Sequence, residues 1–260
     1  MLRILIGGVL IALLATAQTT EPPPPSYIEQ AQVLDQIRQN VQNYTKGLPN
    51  YVCTQVTRRH KDSGRGWRDA GTVVEQLSFF EQRESYKVLM VDNRSVARQN
   101  LRHDQVGGAT STGEFGSMLG GIFAPKSETT FDWWRWEVVN QHWHYVLSFR
   151  TMQPVYSIRD RDSKRTVHVP IHGKIFADRD THMVMRLHME CDGIPIDFPV
   201  RSASVDLEYD FVEIGGQRYL LPLRSDVRSG ERKQRFWNEV AYRDYHKYGT
   251  ESSVTFGDRD

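Results

Sequence analysis

Apolar residues recur every three or four positions from Ile28 through Ala31, Leu34, Ile37 and Val41 to Tyr44, and after Pro49 the spacing changes to two. The first spacing lays one stripe along a helix. It predicts an amphipathic helix over residues 27–46, ended by Gly47 and Pro49. The second spacing is that of strands. Val52, Thr54 and Val56 alternate with Cys53, Gln55 and Thr57, a charged turn runs from Arg58 to Asp69, and 73–82 with 84–92 predict a hairpin. From residue 130 the alternation is sustained. Phe131 and Trp133 share a face, as do Trp143, Tyr145, Leu147 and Phe149 in the next segment. Val167, Val169, Ile171, Ile175 and Ala177 follow, then Met183, Met185, Leu187 and Met189, then Val205, Leu207, Tyr209 and Phe211. Ile214-Gly215-Gly216-Gln217 predicts a hairpin turn with glycines at positive φ, and Pro222 marks an edge, an end or a bulge. Further strands are expected over 235–248 and 254–256. Strands with one apolar and one polar face belong to an antiparallel sheet covered on one side only. With one clear helix to cover it, the sheet must curl. The expected class is mainly β (α+β): a curled antiparallel sheet, or incomplete β-barrel, wrapped on an N-terminal amphipathic helix.

One stretch interrupts the alternation. Six glycines between 107 and 121 surround Phe115, Met118, Leu119, Ile122 and Phe123, and Pro125 closes the segment. The glycine spacing fits neither a dinucleotide fingerprint nor a P-loop. We read 107–125 as a glycine-rich insertion whose short helix is a flap with an apolar underside; a packed connecting helix on glycine hinges is the alternative.

The N-terminus sets the compartment. A basic start at Arg3, an apolar run from Ile4 to Ala15 and the small-x-small triplet Ala15-Thr16-Ala17 read as a secretory signal peptide over 1–17. The run is too short to span a bilayer core of about 30 Å, so no stable membrane span is expected after cleavage. Pro22–Pro25 suggest a stiff linker over 18–26, followed by a single half-barrel domain over 27–260. No cysteine lies near the cleavage site to accept a lipid. The expected location is therefore periplasmic or secreted, where nucleotide cofactors are scarce, and no cofactor is expected. A net charge of +1 gives no global field for nucleic acid, and nucleic acid is not expected as a partner. In an oxidising compartment Cys53 and Cys191 admit one disulfide, worth about 5 kcal/mol in the chain-entropy model for so long a loop. Two buried free thiols are the equal alternative.

The apolar face is unusually bulky. Trp133, Trp143, Tyr145, Phe149, Met183, Met185, Met189, Tyr209 and Phe211 lie on it by their alternation. Wide rings and flexible thioethers line adaptable apolar pockets, and a curled sheet with little helix to fill it leaves room for one. On the polar side, His142 and His144 share a strand face, and so do His168 and His172 four apart. These four are weak candidate ligands for zinc or copper, with Asp178, Asp180 or Glu190 to complete a site. His182 and His188 fall on the polar side of the next strand. No H-E-x-x-H, paired C-x-x-C or G-x-S-x-G appears, and no carboxylate sits in an obviously apolar setting, so no catalytic residue is assigned.

Several segments carry a resemblance. Leu48–Thr57, Gly113–Gly116, His172–Asp178 and Gly215–Pro222 resemble the corresponding stretches of a group of exported bacterial proteins found in Acidobacteria-like genomes. The layout is also similar to the outer-membrane lipoprotein-carrier (Lol-type) superfamily, including the related sensor domains of envelope-stress regulators. The segment Gly173–Leu187 matches that superfamily at Gly173, Asp178, Thr181, Arg186 and Leu187. The glycine-rich insertion and the absence of a lipobox cysteine are departures. The resemblance implies an N-terminal helix, an incomplete barrel and no catalytic residues. The leading expectation is thus a periplasmic, non-enzymatic protein that binds an apolar ligand, such as a lipid or a lipoprotein acyl chain. The alternatives are an envelope sensor or protein-interaction module with a protein partner, and a histidine-dependent metalloenzyme.

Overall fold

The computed structural model describes residues 20–81, 83–96, 116–160 and 163–248. The expected signal peptide, the expected strand at 254–256 and Phe115 lie outside them.

Helix α1 spans Tyr27–Gly47. The Ser26 hydroxyl caps it by accepting the Glu29 N–H at 3.3 Å, and Lys46 lies in the last turn, where a cation suits the carbonyl end. Gly47 is still helical. The extended backbone of Leu48, which Pro49 imposes on its predecessor, ends the helix. The buried stripe is Val33, Ile37, Val41 and Tyr44, with Leu34 half-buried. Ile28 and Ala31 are both exposed, so the apolar stripe begins only at Val33, which the spacing does not pick out.

The strands are β1 (Tyr51–Asp62), β2 (Arg68–Phe80), β3 (Arg83–Val91), β4 (Arg94–Ser95), β5 (Thr130–Val139), β6 (His142–Arg150), β7 (Tyr156–Arg159), β8 (Thr166–Val169), β9 (Ile171–Asp178), β10 (Val184–Cys191), β11 (Val200–Ile214), β12 (Gln217–Glu231) and β13 (Arg235–Lys247). Eleven of them form one antiparallel sheet in the order β4-β3-β2-β1-β13-β12-β11-β10-β9-β6-β5. Its edges, β4 and β5, do not pair, so the sheet is open. β7 and β8 form a separate ribbon. The predicted 58–69 turn is shorter than expected, since β1 runs to Asp62 and β2 starts at Arg68. The Ile214–Gln217 hairpin forms as predicted, with Gly215 at φ 61° and Gly216 at φ 80°.

Register shifts give the sheet its curl, because an extra residue bends and twists the strand that carries it. Three of them fall between Trp133 and Arg135, between Val184 and Arg186, and between Glu208 and Tyr209, where Pro222 pairs with Tyr209. The first two change which residues of their own strand face inward. After the first, Trp136 is buried and Trp134 points out with Lys174 over its ring. Beyond the third, whose extra residue is Leu223 on β12, Phe211 is 37% exposed with Arg218 over its ring and lies outside the buried cluster.

The largest core cluster joins α1 to β5, β6, β9, β10, β11 and β12, with Ile175, Leu187, Met189 and Leu207 fully buried. A second, around Tyr51, Cys53, Leu77, Phe79 and Tyr242, covers β1, β2 and β13. A third packs Ile158, Val169, Phe198 and Val200 beneath the β7–β8 ribbon. The proline run is not a free spacer: Pro25 is buried, and the Pro23 carbonyl accepts the Trp136 indole N–H at 3.0 Å.

Both cysteines are free thiols, Cys53 buried and Cys191 half-buried, so of the two equal readings the unbridged one describes the structure. Cys53 is on β1 and Cys191 on β10, with β13, β12 and β11 between them. A disulfide needs Cα atoms within about 7 Å, and three intervening strands at about 4.8 Å spacing hold these apart. Burial pushes the Cys191 thiol up to about 12 and the Cys53 thiol higher still.

A candidate ligand-binding trough

The concave face of the curled sheet gathers most of the residues expected there. Tyr145, Phe149, Met189 and Tyr209 are buried in one cluster, and Trp133, Trp143, Met183 and Met185 pack against it half-buried. Phe211 alone of the nine is excluded. Trp136 was not on the predicted face and proves central to it. It meets Tyr145 at 4.4 Å, Trp133 at 5.2 Å and Trp143 at 6.4 Å between ring centroids. The run Trp133-Trp134-Arg135-Trp136 breaks strict alternation, and that break was the available signal of a bulge.

This aromatic group lies beside the start of α1. The Tyr145 hydroxyl donates to the Glu29 carboxylate at 3.4 Å, and burial together with that carboxylate raises the phenol pKa. His182 lies in the turn before β10, not on the strand's polar side, and its ring stacks on Tyr145 at 5.8 Å. At the other end of α1, Tyr44 meets the edge of Tyr209 at 6.1 Å. The Tyr44 hydroxyl is buried without a hydrogen-bond partner among the described residues, and so is that of Ser225, which pairs in register with Leu207 and Val240. Such groups are few in folded proteins because an unpaired buried donor costs about 1–3 kcal/mol.

Towards β1, β2 and β13 the same face becomes more polar. Gln55 donates to buried Glu75 at 3.1 Å, and Thr57 on β1 and Asn238 on β13 are buried too. Tyr51, Cys53, Gln55 and Thr57 are buried in alternation on β1 while Thr54 and Val56 are only half-buried, a choice of face that the two-residue spacing alone does not make; Val52 is buried as well.

Helix α2 (Ser117–Phe123) occupies the trough rather than standing over it. Met118, Leu119, Ile122 and Phe123 are 7%, 2%, 0% and 5% exposed, and Phe123 stacks on Phe131 at 4.9 Å. The flap reading therefore fails for this conformation, and the packed-helix alternative describes it. Two hydroxyls tether the C-terminal end: Thr129 and Ser127 donate to the Ile122 carbonyl at 2.6 and 2.9 Å. The N-terminal end has no side-chain cap, and Gly116 enters it at φ 119°, a conformation other residues resist.

The candidate histidine ligands do not converge. His144 is buried, with Nδ1 2.9 Å from the His142 carbonyl. His168 belongs to the β7–β8 ribbon, bonded to Ser157 at 2.8 Å, whereas His172 is on β9 beside Asp192 at 3.0 Å. Pro170 separates their strands, so the shared face expected from their spacing does not exist. Among the described residues, no group of three or more His, Cys, Asp or Glu is placed to hold a metal. Asp178 closes the β9–β10 hairpin. Burial alone would raise its carboxyl, but N–H bonds from Thr181 and Asp180 and the Thr181 hydroxyl outweigh it and hold it below the usual range. That turn accounts physically for the Asp-x-x-Thr spacing.

No protein-family model matches the chain, and no curated protein matches its sequence. Among solved structures the chain is similar to a DUF1329 family protein from Desulfovibrio piger, at 9% identity and TM-score 0.41, over 85% of this chain and 94% of that one. It is similar also to a putative outer membrane lipoprotein-sorting protein domain from Vibrio parahaemolyticus, at 9% identity and TM-score 0.40, over 83% and 93%. A LolA superfamily protein from Nitrosomonas europaea aligns at 9% identity and TM-score 0.31, over 85% and 94%. Among the described residues, no helix is long and apolar enough to cross a membrane.

Proposed function

We propose that the protein is an exported, non-enzymatic carrier that binds a lipid, or the acyl chain of a lipoprotein, in the concave trough. The observation that carries this reading is the half-buried apolar rim. Trp133, Trp143, Met183 and Met185 pack against the core yet keep part of their surface in water. An acyl chain laid against such a rim gains roughly 0.8 kcal/mol per buried methylene. Room for it comes from α2, seven residues long and uncapped at its glycine end, which yields its place among Leu147, Ile175 and Leu187 to the ligand. The buried hydroxyls of Tyr44 and Ser225 and the polar patch at Gln55 and Glu75 suit the head of an amphiphile whose tail lies along β6, β9 and β10.

Native mass spectrometry of the protein purified from the cell envelope tests the reading. A bound mass released by organic solvent and identified as lipid is the expected outcome. Protein that emerges uniformly empty, and stays empty after incubation with envelope lipid extract, would refute it.

A further inference from the structure

The turns that close β1–β2 and β12–β13 lie at one end of the sheet, because Asp62 pairs with Arg235 in register. The loop before β11 reaches the same end, since Val200 pairs with Glu231 and Ser202 with Gly230. Residues 61–69 and 228–237 carry seven basic and three acidic side chains, in a chain whose whole net charge is only +1. One of the three acids is spent on the fold. Asp62 is 2% exposed, its Oδ1 accepts the N–H groups of Gly64, Arg65 and Gly66 at 2.7, 3.1 and 3.0 Å, and its Oδ2 binds Arg235. Arg65, Arg68, Arg228, Arg232 and Lys233 are exposed, and among the described residues none is paired with a carboxylate.

Aromatic rings sit among these cations. Trp237 stacks on His60 at 4.7 Å, meets the edge of Trp67 at 5.8 Å and donates its indole N–H to Asp226. Arg228 lies over Trp237 at 5.1 Å and Arg235 over Trp67 at 5.5 Å. Trp67 remains 43% exposed, and Ile196, on the loop before β11, is 84% exposed.

We propose that this basic, tryptophan-bearing end of the sheet docks on the surface of an anionic lipid bilayer, with Trp67 and Ile196 entering the headgroup layer. The proposal does not depend on what the trough holds. Exposed arginines and lysines attract an anionic surface, and indole rings settle at its boundary with water. A near-neutral chain with its positive charge gathered at one end is also oriented by that surface as it approaches. Single-stranded nucleic acid is the poorer fit. It needs free ring faces for base stacking, and here His60 and Arg228 lie against Trp237 while Arg235 covers Trp67.

The test is co-sedimentation of the full chain with phosphatidylcholine vesicles, with and without phosphatidylglycerol. Binding is expected only with the anionic lipid and is expected to weaken with salt as screening sets in. Reversing Arg232→Glu and Lys233→Glu, both in an exposed turn, should lower binding at least about tenfold. Reversing Arg83→Glu and Lys87→Glu on β3, away from this end, should leave it unchanged. Circular dichroism melts check that each variant is folded. Anionic vesicles with brominated acyl chains should quench tryptophan emission, and Trp67→Phe should remove the part of that quenching that salt also removes. Equal binding to both vesicle types, equal loss in the two reversal variants, or tighter binding to single-stranded DNA than to the anionic vesicles would each overturn the proposal. So would release by inorganic phosphate far beyond that by chloride at equal ionic strength, which would mark a discrete phosphate pocket.

Discussion

At the scale of single residues, Gly173 leaves no room for a side chain. It faces Phe149 on β6 and Met189 on β10, and a Cβ there would stand 1.9 Å from the His188 carbonyl oxygen. That atom is backbone and cannot turn aside. We expect Gly173→Ala to lower stability by about 1–3 kcal/mol, the usual cost of overpacking a core, as read by urea unfolding. On the outer face, His188 has Nδ1 3.0 Å from Asp206 and Nε2 3.2 Å from Glu190, with Arg186 also on Asp206 at 3.3 Å and Lys174 opposite in register. The Asp206 hydrogen bond raises the His188 pKa above the ordinary value near 6.5. Burial alone would raise the Asp206 carboxyl, but His188 and Arg186 outweigh it and hold it low. The sign follows from protons held in the fold. The histidine's contribution is complete below 6.5 and fades as pH rises through the raised pKa, while the aspartate's is complete above 3.8 and fades as pH falls below it. His188→Gln should therefore lose stability near about pH 6 and lose little near about pH 9, by less than ~1 kcal/mol for so exposed a group. Urea midpoints at the two pH values check it, and an equal loss at both would show that charge is not the cause.

At the scale of elements, α2 carries the link between packing and function. Its apolar side chains fill the trough, and its C-terminal end hangs on the Ser127 and Thr129 hydroxyls. Replacing both, Ser127→Ala and Thr129→Ala, should destabilise by about 1–3 kcal/mol, since each hydrogen bond contributes about 0.5–1.5 kcal/mol. The same change should speed acyl-chain uptake in stopped-flow fluorescence, because the helix that must yield is held less firmly. Slower uptake would argue that α2 forms part of the bound state. The helix itself was legible in the sequence, its position was not. Glycines around Met118–Phe123 signal freedom, whereas burial depends on whether a trough lies beneath, and that is a property of the whole sheet. For the same reason, strands were readable wherever alternation was unbroken, as from Val205 to Tyr209. They became unreadable at bulges, where one inserted residue on β5 moved Trp136 in; Phe211 keeps its alternation with Tyr209 and is exposed all the same. The His168–His172 pair misled because Pro170 ends one strand and starts another in a different sheet, which spacing alone does not register.

At the scale of the whole molecule, an open sheet of eleven strands has to curl to cover its apolar face, and α1 and α2 supply the rest of that cover. The curled class with an N-terminal helix was readable because one clear helical stripe preceded a long run of one-sided strands. The polar patch at Gln55 and Glu75 was not, because buried polar residues look like solvent-facing ones until the facing strands are known. Whether this trough takes up an apolar chain decides between a carrier and a closed core. Titration of the protein with a fluorescent fatty acid, alongside the Trp133→Ala, Trp143→Ala double variant, measures that directly. A carrier should show saturable binding, energy transfer from the trough tryptophans, displacement by unlabelled lipid, and weakening by about tenfold or more when the two rings of the rim are removed. A signal that rises without saturating, or that is unchanged in the double variant, would contradict it.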